Sequence, residues 1–143
     1  MSFITNTFAT HDNETIFYYR WPSNKNIVLK GIVQISHGIG EHAGRYHSIA
    51  NILQNDGYEV FANDHRIHGK SVKSEDYLGY YDGEDYFSDA INDMRQLTEI
   101  IKNTNPNKKI ILLIFFMIKD YYYWFDVYKY GPLLFCKSKN KAV

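Results

Sequence analysis

Hydrophobic and polar positions divide most of the chain into short extended runs and two helical stretches. Residues 3–8 and 15–21 are rich in β-branched and aromatic side chains, and the polar residues 11–14 between them have turn chemistry. This arrangement predicts an opening β-hairpin. Further short apolar runs, which predict buried strands, occupy residues 30–36, 58–62 and 108–116.

Two stretches between these runs show the three- and four-residue spacing of amphipathic helices. The first covers residues 45–56 and ends before Gly57, a common helix terminator, and the second covers residues 85–103. Residues 63–83 show no sustained period and are predicted to form a long loop. The positions predicted to be buried are Tyr46, Ile49, Ala50 and Leu53 in the first helix, and Phe87, Ala90, Ile91, Met94, Leu97 and Ile101 in the second.

Strands that alternate with helices after a hairpin predict an α/β fold. Because the later strands are apolar throughout, both of their faces should be covered, as in a mostly parallel sheet flanked by helices. No internal repeat or low-complexity linker divides the chain, so a single domain is sufficient.

Charge and hydropathy argue against nucleic-acid binding and against a membrane-spanning helix. Lysine plus arginine and aspartate plus glutamate number 16 each, so no net charge attracts nucleic acid. The longest apolar run, residues 110–118, is much shorter than the roughly 20 residues of a membrane-spanning helix. A lone cysteine, Cys136, and a first segment unlike a signal peptide predict a cytoplasmic location.

Polar clusters follow two of the predicted strands. Residues 37–42 (His-Gly-Ile-Gly-Glu-His) come directly after the run 30–36, and residues 64–71 follow the run 58–62. Because parallel strands end at the same edge of a sheet, both clusters should lie at one ligand-binding edge. Glycines in such a turn let backbone N–H groups point outward and bind an oxyanion, although ordinary turns have the same pattern.

The second cluster allows two other interpretations. Residues 69–71 (Gly-Lys-Ser) resemble part of a phosphate-binding loop, but Asp64 stands where that motif needs glycine, which excludes it. Asp64, His65 and His68 are metal-binding residue types, yet no cysteine or further carboxylate supports a metal site. We therefore predict neither a metal nor a cofactor.

A longer pattern contains both clusters. Residues 37–71, HGIGEHAGRYHSIANILQNDGYEVFANDHRIHGKS, are similar to the family pattern HGxGEHxxRY, then a helix and GYxVxAxDxRGHGxS, of monoacylglycerol lipases and lysophospholipases. The resemblance to these serine α/β-hydrolases extends over about residues 7–113. It implies a partial α/β-hydrolase fold and, in the intact family, hydrolysis of carboxylic esters of lipids.

The resemblance also implies roles for individual residues. The Ile39 N–H corresponds to one oxyanion-hole donor, in a loop shaped by His37, Gly38 and Gly40. The family has glycine at the position of Ile67, so a positive φ there would strain this β-branched residue by roughly 1 kcal/mol or more. A structural turn beneath the active site is implied for Asp64, His65, Arg66, His68, Gly69 and Ser71.

The chain departs from the family pattern after residue 113. The strand there should lead into the nucleophile elbow Gly-x-Ser-x-Gly, but the 143 residues contain no such motif, and neither Ser36 nor Ser71 lies on one. We expect residues 1–113 to be the N-terminal part of a hydrolase domain, and residues 114–143 to be a divergent aromatic tail, truncated and read out of frame. Without nucleophile, acid and base, the chain should be inactive alone.

Two alternatives remain from the sequence. The chain could be a catalytically silent binding module, or half of an enzyme that a second polypeptide completes. In either case the apolar run 110–118 has high β-propensity and no charge, so self-association through an open sheet edge is expected.

Overall fold

The computed structural model describes residues 3–115 and contains the predicted hairpin. Strand β1 (Ile4–Ala9) pairs antiparallel with strand β2 (Thr15–Trp21). Thr10 closes the turn between them, because its N–H donates to the Glu14 carbonyl at 2.9 Å and its hydroxyl accepts the Glu14 N–H. The polar residues between the two strands therefore form a hydrogen-bonded turn, as predicted.

Three parallel strands complete the sheet: β3 (Gly31–Ser36), β4 (Tyr58–Asn63) and β5 (Ile110–Ile114). β4 also pairs antiparallel with β2, so the spatial order is β1-β2-β4-β3-β5. Every residue of β3 is buried, as expected for a parallel strand covered on both faces. The predicted α/β class is confirmed, as a mixed sheet whose last three strands are parallel.

Two helices cover the faces of this sheet. Helix α1 (His47–Asn55) follows a 3-10 turn, and helix α2 (Tyr86–Thr104) begins after Asp85. The Asp85 carboxylate accepts the Ser88 N–H at 3.1 Å, which satisfies one of the free donors at the start of α2. The 3-10 turns within residues 3–115 are Ala43–Tyr46, Gly69–Ser71 and Glu75–Tyr77.

An apolar cluster lies on each face of the sheet. The cluster on the α2 side contains Ile32, Phe61, Leu97 and Ile101. The cluster on the α1 side is larger and joins the hairpin to the parallel strands; it contains Tyr19, Trp21, Val33, Ile35, Ala43, Tyr46, Ala50, Val60 and Ala62. Both loops of the candidate site described below begin at strands held in these clusters.

Two positions predicted to be buried are exposed, so those predictions were wrong. Ile49 of α1 is 37% exposed and Phe87 of α2 is 47% exposed. Helix α1 buries only a narrow stripe that includes Ala50 and Gln54, and the Gln54 side-chain amide donates to the Pro22 carbonyl at 2.6 Å. A polar residue therefore occupies a buried position that hydrophobic spacing cannot identify.

Strand β5 forms one edge of the sheet within residues 3–115. It pairs with β3 through the Ile32 N–H to the Lys109 carbonyl and the Phe115 N–H to the Ser36 carbonyl, each at 2.9 Å. In a parallel pair such residues alternate along the strand. The backbone N–H and C=O groups that point away from β3 are therefore those of Ile110, Leu112 and Ile114.

Several sequence predictions fall outside the described residues. They concern Cys136 and the tail from residue 116 to residue 143. Within the described part of the chain, no helix has both the length and the apolar character needed to cross a membrane.

Candidate active site

Both polar clusters lie where the sequence analysis predicted them, at the carboxyl ends of neighbouring parallel strands. The first loop, residues 37–42, follows β3, and the second turn, residues 64–71, follows β4. Asp64, His65 and Arg66 are buried without being apolar, and so is His37. Buried polar groups require hydrogen-bond partners, and these side chains find theirs within the two clusters, in the residues that flank them and, for Arg66, in Asp12 and Asp93.

Asp64 holds the first loop against the second turn. Its side chain is fully buried, and its two carboxylate oxygens accept the Ala43 N–H at 2.7 Å and the Lys70 N–H at 2.8 Å. Gly69 must approach this carboxylate closely, since a Cβ there would lie 2.3 Å from Asp64 Oδ2. Its φ of +50° also favours glycine. These contacts give the expected structural turn a physical basis.

Two histidines connect the clusters a second time. His37 Nδ1 lies 2.8 Å from the Gly38 carbonyl, and His37 Nε2 accepts the His65 N–H at 2.9 Å. The two rings are 4.1 Å apart, and His65 Nε2 lies 3.1 Å from the His37 carbonyl. Burial lowers the pKa of His65 to about 3 and that of His37 below its usual value, so both rings are neutral near pH 7.

Of the three consecutive backbone N–H groups centred on Ile39, the outer two donate hydrogen bonds within the protein and the central one does not. The Gly38 N–H donates to Glu41 Oε1 at 2.6 Å, and the Gly40 N–H donates to His68 Nε2 at 3.3 Å. The Ile39 N–H between them has no hydrogen-bond partner among residues 3–115, and Ile39 itself is 48% exposed. The loop therefore has an unpartnered donor, on a half-exposed residue, at the position where the resemblance implies one.

Glu41 is a member of the first cluster to which the sequence analysis assigned no role. Besides the Gly38 N–H, the same carboxylate oxygen accepts the Tyr46 hydroxyl, and Arg45 Nε lies 3.9 Å from the other oxygen. Burial and this carboxylate raise the pKa of the Tyr46 hydroxyl. The available signal was the acid three residues after Gly38, within the quoted motif.

Neither candidate serine is arranged as a nucleophile. Ser36 Oγ lies 3.1 Å from His65 Nε2, but both residues are buried and that ring nitrogen also faces a backbone carbonyl. Ser71 Oγ donates to the Asp64 carbonyl at 2.7 Å and accepts the Phe17 N–H at 2.9 Å. Both hydroxyls are therefore used in holding strands and turns together.

Arg66 ties the second turn to α2 and to the hairpin. Its guanidinium donates two hydrogen bonds of 2.8 Å to the buried Asp93 carboxylate and one of 2.9 Å to Asp12. Burial alone would lower the pKa of Arg66, but these carboxylates outweigh it and raise that pKa. The signal for Asp93 was an acid within the apolar spacing of α2, and the sequence analysis did not use it.

Ile67 has a φ of +63°, in the left-handed region for which the sequence analysis predicted strain at this position. Its carbonyl accepts the Gly79 N–H at 2.9 Å, which fixes the backbone conformation from outside the turn. The predicted strain is therefore present in the fold.

The histidines of the second turn are used by protein contacts rather than gathered around a cation. His65 faces His37 and Ser36, while His68 lies between the Arg66 carbonyl and the Gly40 N–H. Within residues 3–115, no group of three or more histidine, cysteine, aspartate or glutamate side chains is placed to hold a metal ion.

Comparisons with known proteins identify the family of the chain. The sequence profile of the family described as serine aminopeptidase S33 matches residues 28–114, more than half of the chain. A monoglyceride lipase homolog of monkeypox virus is 36% identical over 110 residues, which are 76% of this chain and 37% of that protein. A monoacylglycerol lipase of Mycolicibacterium smegmatis is 34% identical over 107 residues, 75% of this chain and 35% of that protein.

A solved structure shows the same fold. A thermostable carboxyl esterase from Bacillus coagulans superposes with a TM-score of 0.69 at 24% identity, over 79% of this chain and 36% of the esterase. The chain thus spans about a third of the length of the curated relatives it matches.

Proposed function

We propose, because this chain belongs to the serine aminopeptidase S33 family of α/β-hydrolases, that it supplies the oxyanion loop of a lipid-ester hydrolase of the monoacylglycerol lipase type. The observation that carries this proposal is the N–H of the half-exposed residue Ile39, which is unpartnered within residues 3–115 while both neighbouring N–H groups donate hydrogen bonds. A donor fixed in this way needs no reorganisation when negative charge develops on a substrate carbonyl oxygen.

The chemistry expected of the intact family is attack by a serine, formation of an acyl-enzyme and its hydrolysis. In that reaction the Ile39 N–H would stabilise the tetrahedral intermediate, and Asp64, His37 and His65 would keep its loop in place. The substrate proposed is a carboxylic ester of a lipid, since two relatives are named as monoglyceride or monoacylglycerol lipases. A lysophospholipid ester is a second member of this substrate class, on the sequence resemblance alone.

We further propose that a polypeptide of these 143 residues does not hydrolyse esters by itself. The chain contains no Gly-x-Ser-x-Gly motif, and its two candidate serines within residues 3–115 are engaged in structural hydrogen bonds. On this view residues 1–113 are the N-terminal part of a hydrolase domain, and residues 114–143 are a separate, divergent tail. A cytoplasmic location stays a prediction from the sequence.

The inactivity is tested with a fluorophosphonate probe and a monoacylglycerol assay on the purified chain, using the Mycolicibacterium smegmatis lipase as positive control. We expect no stoichiometric serine labelling and no hydrolysis above buffer. Ser36→Ala and Ser71→Ala are the matched variants. Labelling of the wild-type chain that one of them abolishes would identify a working nucleophile and refute this proposal.

The role of Ile39 is tested in a chimera, in which residues 28–113 replace the corresponding part of that lipase. Ile39→Pro removes the N–H and should lower kcat by roughly 10²–10³-fold, whereas Ile39→Ala retains the N–H and should stay within a few-fold of the parent chimera. Equal activity of these two variants would show that the Ile39 N–H is not an oxyanion donor.

A gene-level test addresses the truncation. The DNA that follows the codon of Leu113 is translated in all three frames, and one frame should contain the nucleophile elbow Gly-x-Ser-x-Gly. Absence of the elbow from every frame would contradict truncation by frameshift and leave the silent binding module and the two-polypeptide enzyme as the explanations to test.

A further inference from the structure

His68 bridges the second turn and the first loop with both of its ring nitrogens. Nδ1 lies 3.0 Å from the Arg66 carbonyl, and Nε2 accepts the Gly40 N–H at 3.3 Å. A backbone carbonyl can only accept a hydrogen bond and a backbone N–H can only donate one. Both contacts therefore require the same neutral tautomer, with the proton on Nδ1.

The position of this imidazole is fixed from several directions. His68 is buried, with 8% of the residue exposed, and its backbone N–H donates to the His65 carbonyl at 3.0 Å. The Arg66 carbonyl that accepts from Nδ1 belongs to the residue whose guanidinium is bound to Asp93 of α2. The acceptor offered to Gly40 is thus anchored in the body of the fold.

Gly40 is the point at which this contact acts on the first loop. It has a φ of +77°, and a Cβ placed there would meet nothing within 4 Å, so packing does not determine its conformation. Its N–H bond to His68 and the Gly38 N–H bond to Glu41 are the hydrogen bonds on either side of Ile39. The orientation of the peptide between them depends on both.

We infer that His68 is a positioning residue of the oxyanion loop. By accepting the Gly40 N–H, it holds the loop in the turn that leaves the Ile39 N–H free for the substrate oxygen. This inference rests on the proposed function for the meaning of Ile39, but the contact itself is present without any substrate.

Hydrogen exchange with single-residue fragmentation tests the inference on the full chain at low micromolar concentration. In the wild type, the Gly40 amide should exchange about tenfold more slowly, relative to unstructured-peptide rates, than the Ile39 amide, the effect of one hydrogen bond. His68→Leu should remove this difference. His68→Gln places an amide oxygen near the lost Nε2 and should restore it.

The Ala43 amide, which donates to the buried Asp64 carboxylate, is the internal control. It should keep its protection in both variants, whereas general loss of structure would expose Ala43 and Gly40 together. If His68→Leu does not fold, the wild-type comparison of Gly40 with Ile39 decides by itself. Equal protection at these two amides, or an unchanged Gly40 in folded His68→Leu, would overturn the inference.

The experiment separates this inference from the proposed function. Exchange at Gly40 reports only the loop contact, while the Ile39→Pro and Ile39→Ala chimeras report catalysis. Protection at Gly40 together with equal activity of the two chimeras would sustain the contact and reject the oxyanion role.

Discussion

Ile67 adopts a backbone conformation that β-branched residues rarely occupy, and no side-chain hydrogen bond compensates for it. Its φ of +63° lies in the left-handed region, where asparagine is tolerated and isoleucine is strained by roughly 1 kcal/mol or more. The surrounding structure holds this conformation, because the His68 N–H donates to the His65 carbonyl and the distant Gly79 N–H donates to the Ile67 carbonyl.

Replacing Ile67 should therefore stabilise the fold in a manner that depends on the residue introduced. Ile67→Asn is expected to raise the free energy of unfolding by about 1 kcal/mol, measured by urea denaturation. Ile67→Val, which remains β-branched, is the matched control and should give no gain. A gain with valine as large as with asparagine would mean that side-chain size, not backbone strain, is responsible.

Alanine substitutions at two glycines with positive φ distinguish the cost of backbone strain from the cost of a steric clash. An alanine Cβ at Gly69 would lie 2.3 Å from Asp64 Oδ2, whereas one at Gly40 would meet nothing within 4 Å. Gly40→Ala should cost about 1 kcal/mol for the left-handed backbone, and Gly69→Ala at least about 2 kcal/mol more as the buried carboxylate is displaced. Similar losses of unfolding free energy in the two variants would contradict the role assigned to Asp64.

At the scale of elements, the first loop and the second turn form one unit built on neutral histidines. Burial lowers the pKa of His65 from 6.5 to about 3, and it also lowers that of His37. Between these values the unfolded chain binds protons that the folded chain does not. The contribution of these neutral histidines to the free energy of unfolding is therefore complete above about pH 6.5, and it decreases as the pH falls toward 3.

Urea denaturation between pH 7 and pH 4.5 should show this loss, with a slope of up to about 1.4 kcal/mol per pH unit for His65. Burial raises the pKa of the Asp93 carboxyl, which opposes this trend in the wild type and the variants alike, so the comparison between variants isolates the histidine. His42→Gln, at an exposed position, should leave the slope unchanged, and His65→Gln should reduce it. A wild-type stability that does not change over this range would contradict the burial of neutral rings.

Much of this unit was predictable from the sequence, and the reasons for the remainder are physical. Strand ends followed by His-Gly and by Asp-His are local signals, so the placement of both loops at one sheet edge was predicted. The Arg66–Asp93 pair joins residues far apart in sequence, and hydrophobic spacing does not predict that a charged residue such as Asp93 is buried in the apolar face of α2. The burial of Gln54 was missed for a similar reason, because its partner is the Pro22 carbonyl, 32 residues earlier in the chain.

At the scale of the whole molecule, β5 is an edge strand of the sheet within residues 3–115. Its outward N–H and C=O groups at Ile110, Leu112 and Ile114 lie on a strand that is apolar on both faces. Such an edge is a template for pairing with another strand. We propose that chains of this protein associate through β5, unless residues outside the described part cover it.

A lysine in the strand should weaken this association. Leu112→Lys is expected to shift the chain toward monomer in sedimentation velocity and to give one cooperative urea transition. Ile52→Lys adds the same charge on α1, at a side chain that is 69% exposed, and is the matched control. A wild-type chain that is already monomeric, or an equal effect of both lysines, would reject the open edge as the cause.

The strand order also determines when each strand can pair while the chain is being synthesised. β1 and β2 are adjacent in sequence and can pair as soon as they leave the ribosome, but β3 has both of its neighbours later in the chain: Ile32 lies opposite Glu59 and Ile110. Roughly 80 residues must follow Ile32 before its second neighbour exists, which takes on the order of ten seconds at typical elongation rates. During that interval the most buried strand of the finished sheet remains open to chaperones on one side.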